Sequence, residues 1–205
     1  MVRVKICGIN DAAGFDTAVE CGADWIGFNF FPPSPRYVTL EQAAALAART
    51  RGGPPRVGLF VRPTLDVIAA TLAVVRLDAL QLYDADLAAI RRRFSLPLWR
   101  AVGVASKADL PHDTAGADRL LVEAKPPAGA TRPGGNAARF DWSLLQGWRA
   151  PAPWVLAGGL TADNVAEAIG ITGAAAVDVS SGVEVRSGVK DPELIRRFIA
   201  NARAA

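Results

Sequence analysis

Short apolar runs alternate with amphipathic stretches along the whole chain. Runs near 3–7, 24–30, 56–61, 78–82, 97–103, 118–123, 153–157 and 175–179 have the length and near-continuous apolarity of strands covered on both faces. Between them, apolar residues recur at helical spacing near 11–20, 40–50, 65–75, 85–93, 106–110, 142–147, 162–169 and 192–202. Several predicted helices carry start and stop markers. Thr39 with Gln42 reads as a capping box. Thr161 reads as an N-cap with Asp163 in the first turn, and Asp191 as an N-cap with Pro192 at the first helical position. Gly22 closes the first helix. Strict strand–helix alternation predicts a parallel sheet with helices outside it. Eight repeats favour a single-domain (β/α)8 TIM barrel over residues 1–205.

That chain length is near the short end for such a barrel, so most loops must be brief, and the longer ones stand out. The segment Ala124–Arg139 is rich in Pro and Gly, and a loop of that length is usually functional or disordered. The segment Phe31–Tyr37 holds Pro32, Pro33 and Pro35, which stiffen it around Arg36.

Composition narrows the class. About half of the residues are apolar, yet no uninterrupted apolar stretch is long enough to cross a bilayer. No secretory signal is visible, and the two cysteines, Cys7 and Cys21, make no disulfide framework, so a cytoplasmic protein is expected. The formal charge of +3 suits an anionic small molecule and argues weakly for nucleic acid, which is not expected as a partner. Arg91, Arg92 and Arg93 fall at a predicted helix end, where they complement the helix dipole. With one histidine and no Cys-x-x-Cys pair, no metal site is expected. No organic cofactor or membrane contact is expected either, and a monomer is the favoured state.

In a parallel barrel the C-terminal strand ends build the active site, and the first and last strands are neighbours. Gly158-Gly159 follow the seventh strand and Ser181-Gly182 the eighth, where such barrels often hold a phosphate. Each pair alone could be a tight turn; the two together point to phosphate. Cys7 ends the first strand and Glu123 the sixth, so a thiol and a carboxyl flank the mouth from different sides. They could exchange protons with different atoms of one substrate. Alternatively, Cys7 is a small buried hydrophobe and Glu123 a solvated or salt-bridged strand end. Asp178 is charged within an apolar strand, and Lys5 has inward parity on the neighbouring one. They form either a buried pair or a contact to substrate. Arg36 offers a planar fork that suits a carboxylate.

Taken together, these residues resemble the phosphoribosylanthranilate isomerase family of tryptophan biosynthesis. The matching stretches include Lys5-Ile6-Cys7-Gly8, Gly27-Phe28-Asn29-Phe30, Ser34-Pro35-Arg36-Tyr37-Val38, Gly58-Leu59-Phe60-Val61 and Gln81-Leu82. They continue with Gly134-Gly135, Phe140-Asp141-Trp142, Leu156-Ala157-Gly158-Gly159-Leu160, Val177 through Glu184, and Gly188-Val189-Lys190-Asp191. The resemblance implies an Amadori rearrangement of a phosphoribosyl-anthranilate without metal or cofactor. It implies Cys7 as the base at C2′ of the sugar, a strand-six acid that protonates the ribose ring oxygen, Arg36 at the anthranilate carboxylate, and the glycine turns at the phosphate.

This chain departs from the family's pattern in three places. The strand-six acid is Glu123, not aspartate; Tyr83-Asp84 stand where histidine and glycine are usual; and the glycine-rich loop reads Gly134-Gly135-Asn136-Ala137. Two other functions therefore stay open at this point: a diverged phosphosugar-binding barrel with low turnover, and a sister phosphosugar isomerase or epimerase.

Overall fold

The computed structural model describes residues 1–126 and 141–205. Eight parallel strands close into a barrel in chain order. They are β1 (Arg3–Cys7), β2 (Trp25–Asn29), β3 (Arg56–Val61), β4 (Ala79–Tyr83), β5 (Leu98–Val104), β6 (Arg119–Ala124), β7 (Trp154–Leu156) and β8 (Ala176–Val179). β1 pairs with β2 on one side and with β8 on the other, which closes the ring. The helices are α1 (Ala12–Glu20), α2 (Leu40–Ala47), α3 (Leu65–Val74), α4 (Leu87–Arg93), α5 (Val165–Thr172) and α6 (Pro192–Ala204). After β8 comes an antiparallel ribbon that the apolar pattern did not predict, β9 (Glu184–Arg186) with β10 (Val189–Lys190).

Local chemistry explains where helices start and stop. Thr39 and Gln42 form the reciprocal capping box, and the Asp191 carboxylate accepts from the Glu193 amide ahead of Pro192. Gly22 takes φ +72°, while the Ala23 amide returns to the Ala18 carbonyl at 2.8 Å and the Gly22 amide to Val19 at 2.9 Å. That pattern satisfies the last carbonyls of α1. Thr161 is not an N-cap, because α5 starts later, at Val165. Asn164 ties the Thr161 amide and the Gly159 carbonyl with its side chain, which holds the intervening residues in a turn. Asp163 is used instead in an ion pair with Arg197 of α6.

The stretches read as helices near 106–110 and 142–147 are single 3₁₀ turns, Lys107–Asp109 and Trp142–Leu145. Pro111 bars helical geometry at the residue before it, and Gly147 turns the second segment away at φ +73°. The Pro- and Gly-rich segment after β6, with Gly134, Gly135, Asn136, Ala137 and Phe140, lies outside the described residues apart from its first three positions. Among the described residues, no helix is long and apolar enough to cross a membrane.

Strand pairing places alternate side chains inside the barrel. Trp25, Val57, Ala79, Trp99, Val155 and Ala176 pack as an inner layer, with Trp25 and Trp99 edge to face at 5.2 Å. Arg3 lies 4.6 Å and Arg119 5.1 Å from the Trp25 ring centre, and Arg119 also covers Trp99. These residues fill the N-terminal end. The next inward positions toward the C-terminal end are Lys5, Leu59, Gln81, Leu121 and Asp178, then Cys7, Tyr83 and Glu123. The outer core, between sheet and helices, holds Phe15, Phe28, Phe60 and Phe198, each fully buried. Each such side chain contributes about 1.5–3 kcal/mol of burial. Apolar packing therefore holds a rigid ring whose polar residues gather at one mouth.

Candidate active site

β1 delivers two functional groups on one inward face, two residues apart. Lys5 is fully buried, and its Nζ donates to Asp178 Oδ1 at 2.7 Å across the β1–β8 pairing. Cys7 lies one inward position further up. A methyl group placed on Gly27 of β2 would lie 3.0 Å from Cys7 Sγ and 3.1 Å from Lys5 Nζ. The thiol and the ammonium thus converge on the space that Gly27 leaves open. Burial would pull Lys5 down, but the Asp178 carboxylate, with Cys7 beside it, carries it above the ordinary lysine value. For Cys7, burial pushes the thiol up, and Lys5 and Lys190 oppose that push. The net shift is upward, so the neighbouring cations temper the burial cost without cancelling it.

Arg36 is set by three elements. The Asn29 amide group, at the end of β2, donates to Ser34 Oγ, and its carbonyl oxygen accepts from the Phe31 amide. Ser34 Oγ in turn accepts from the Arg36 amide, so the proline loop is pinned from within. The stem of Arg36 crosses Gly8 so closely that a Cβ there would sit 2.7 Å from Arg36 Cδ. Gly8 also has φ +71°, so glycine is needed at this position twice over. The guanidinium is not held by prolines alone. Its Nε and Nη2 donate to the two Glu184 oxygens at 2.6 and 2.9 Å. Lys190 Nζ meets the same carboxylate at 2.7 Å and the Ser180 carbonyl at 2.9 Å. Burial would raise Glu184, but Arg36 and Lys190 hold its carboxyl below the usual glutamate value. Reading the chain residue by residue missed Glu184 and Lys190 as partners of Arg36. The signal available was two charges flanking the short Arg186–Gly188 turn.

Glu123 ends β6 on the inner face and is 5% exposed. Tyr83, the last residue of β4, donates its hydroxyl to Glu123 Oε1 at 2.7 Å, and Gln81 Nε2 donates to the Tyr83 oxygen at 3.2 Å. The Tyr83 ring packs with Cys7 and Leu59. Burial, and the Glu123 carboxylate next to it, push the Tyr83 phenol well above its ordinary value, so it stays a donor. The carboxyl therefore meets Tyr83 directly, and the thiol shares a buried cluster with it.

The two glycine turns interlock. Gly158 and Gly159 have φ of +84° and +67°. Gly182, in a one-turn 3₁₀ helix (Ser181–Val183), lies so close to the preceding loop that a Cβ would fall 1.9 Å from the Leu160 carbonyl oxygen. No side chain fits there. The loops after β7 and β8 thus form one surface of small residues at the mouth, and Lys190 fixes the second loop through the Ser180 carbonyl. Cys7, Glu123, Arg36, Gly158, Gly159, Ser181 and Gly182 fall at the C-terminal strand ends or on the loops that follow them, and the Lys5–Asp178 pair lies one layer below, within β1 and β8.

Residues 4–201 match the family described as N-(5′-phosphoribosyl)anthranilate (PRA) isomerase. The chain belongs to that family. It is 57% identical, over all of both chains, to the N-(5′-phosphoribosyl)anthranilate isomerase of Acidiphilium cryptum. It is 50% identical to that of Granulibacter bethesdensis, again over all of both chains. Among solved structures it superposes with a TM-score of 0.83 at 35% identity, over all of both chains, on a phosphoribosylanthranilate isomerase in complex with reduced 1-(o-carboxyphenylamino)-1-deoxyribulose 5-phosphate. The family's barrel, with its first and last strands side by side, is the frame in which the thiol, the carboxyl and the interlocked turns of this chain meet.

Proposed function

We infer that this chain isomerises N-(5-phosphoribosyl)anthranilate to 1-(2-carboxyphenylamino)-1-deoxyribulose 5-phosphate, an Amadori rearrangement of tryptophan biosynthesis. Full-length similarity to named isomerases supports the activity. The observation that carries the residue roles is the bond from Tyr83 to Glu123 beside the buried cluster that Tyr83 shares with Cys7 at the barrel mouth.

In this reading the interlocked turns around Gly159 and Ser181-Gly182 take the phosphate on backbone amides, and Arg36, stiffened by Glu184, faces the anthranilate carboxylate. Glu123 gives its proton to the ribose ring oxygen. The bond from C1′ to that oxygen breaks, and the nitrogen lone pair forms C1′=N. Cys7, as thiolate, then takes the proton from C2′, and the released electron pair forms the C1′–C2′ double bond as the nitrogen recovers its lone pair. The resulting enol becomes the ketone when its hydroxyl proton is lost and C1′ gains one. Every step is a proton transfer or a shift within the substrate, so the chemistry calls for no redox group. Lys5, held by Asp178, faces the thiolate and favours its formation. All these groups come from one chain, so a monomer suffices, and two unpaired cysteines suit a cytoplasmic protein.

The test follows the loss of substrate fluorescence with purified protein. Steady turnover that Cys7→Ala abolishes supports the reading. Tight binding of product analogues without turnover would leave a phosphosugar-binding barrel instead.

A further inference from the structure

We propose that Tyr83 is a positioning residue for the isomerisation: its hydroxyl holds one oxygen of Glu123 and so fixes the direction of the carboxyl group. The proposal rests on Glu123 being the acid. Tyr83 has two neighbours along its hydroxyl. Gln81 Nε2 donates to the phenol oxygen at 3.2 Å, which directs the hydroxyl proton away from Gln81 and toward Glu123 Oε1 at 2.7 Å. All three side chains are buried, with Tyr83 at 8%, Glu123 at 5% and Gln81 at 1% exposure, so the chain of bonds is shielded from competing water.

The same contact restrains a long side chain. Glutamate has three rotatable bonds and no fixed carboxyl direction of its own. Tyr83 stands on β4 and Glu123 on β6, with β5 between them, so the hydrogen bond spans the barrel interior and fixes the carboxyl against a rigid strand. Tyr83 is itself buried in one cluster with Cys7 and Leu59. The side chain that holds Glu123 thus belongs to the same cluster as the thiol. A misplacement near one ångström costs on the order of a hundredfold in rate, so the restraint matters to kcat and not to ground-state binding.

The experiment is a double-mutant cycle of Tyr83→Phe and Glu123→Gln, with kcat and KM measured for the full-length protein. Tyr83→Phe keeps the ring and its packing. It should lower kcat roughly tenfold to a hundredfold with KM within about twofold of wild type. Glu123→Gln should lose most of the turnover, and adding Tyr83→Phe to it should cost no more, because the group Tyr83 acts through is already gone. Wild-type kcat in Tyr83→Phe, beside an impaired Glu123→Gln, would overturn the positioning role alone. Losses that multiply in the double variant would also overturn it, since Tyr83 would then act independently. Full activity in Glu123→Gln would overturn the acid assignment and the positioning role together.

Discussion

At the scale of single residues, the β1 thiol is a compromise between burial and neighbouring charge. Cys7 sits at the inner end of β1 with Lys5 two residues before it, and strand parity alone puts both on one face. Asp178 keeps Lys5 charged in a fully buried place, and Lys5 in turn works against the burial that pushes the thiol up. The expected consequence is a nucleophile that wakes late. Alkylation of Cys7 by iodoacetamide should rise with pH through a midpoint above the ordinary thiol value of about 8.5. Lys5→Met should move that midpoint higher still, because the lowering charge is lost and the burial remains. A midpoint below neutrality in the unmodified protein, followed by mass spectrometry of the Cys7 peptide, would contradict this account.

The elements divide into those whose ends were legible in the sequence and those set by tertiary contacts. The Thr39–Gln42 box, the Asp191-Pro192 start and the Gly22 stop use backbone chemistry that is local, so a few residues suffice to read them. The start of α5 is different. Asn164, not Thr161, organises that turn, because its side chain binds the Gly159 carbonyl and so ties the helix start to the loop after β7. The ribbon of β9 and β10 escaped because each strand is only two or three residues long and has little apolar content. Its role is visible only once Glu184 and Lys190 are seen around Arg36.

Glycines within these elements should also part company on substitution. At Gly182 an added methyl group meets the Leu160 carbonyl, so Gly182→Ala must push the loops after β7 and β8 apart. Overpacking of this kind costs about 1–3 kcal/mol, and a similar loss in substrate binding raises KM by roughly tenfold to a hundredfold. At Gly170, inside α5, an added methyl group meets nothing within 4 Å. Gly170→Ala should stabilise by roughly 0.5–1 kcal/mol, raising Tm by about 1–4 °C with kinetics unchanged. Equal effects at the two positions, in melting and steady-state assays, would show that the interlock carries no functional weight.

For the whole molecule, the barrel separates stability from chemistry. Apolar layers and the Trp25–Trp99 contact fill one end, and buried charges crowd the other. The eight-fold alternation made the barrel and its active end legible, since strand order follows chain order and closure makes β1 and β8 neighbours. What could not be read was which charges pair across the mouth, because Arg36 and Glu184 are far apart in sequence and share no local pattern.

That crowding predicts a pH dependence. Glu184 is held below its ordinary value, so the stability it contributes is present above about pH 4.3, the unfolded glutamate value, and is lost as pH falls through the folded value. Glu184→Gln should therefore be less stable near neutrality and should lose less on acidification. Parallel acid-unfolding curves for the two proteins would contradict the assignment.

The central claim is that the β1 thiol removes the C2′ proton of a phosphoribosyl-anthranilate. Substrate carrying deuterium at C2′ tests it directly, with release of the label into water followed by NMR. The wild type should release the deuteron as product forms, and Cys7→Ala, with the fold and product-analogue binding intact, should release essentially none. Release by Cys7→Ala at the wild-type rate would mean that another group is the base.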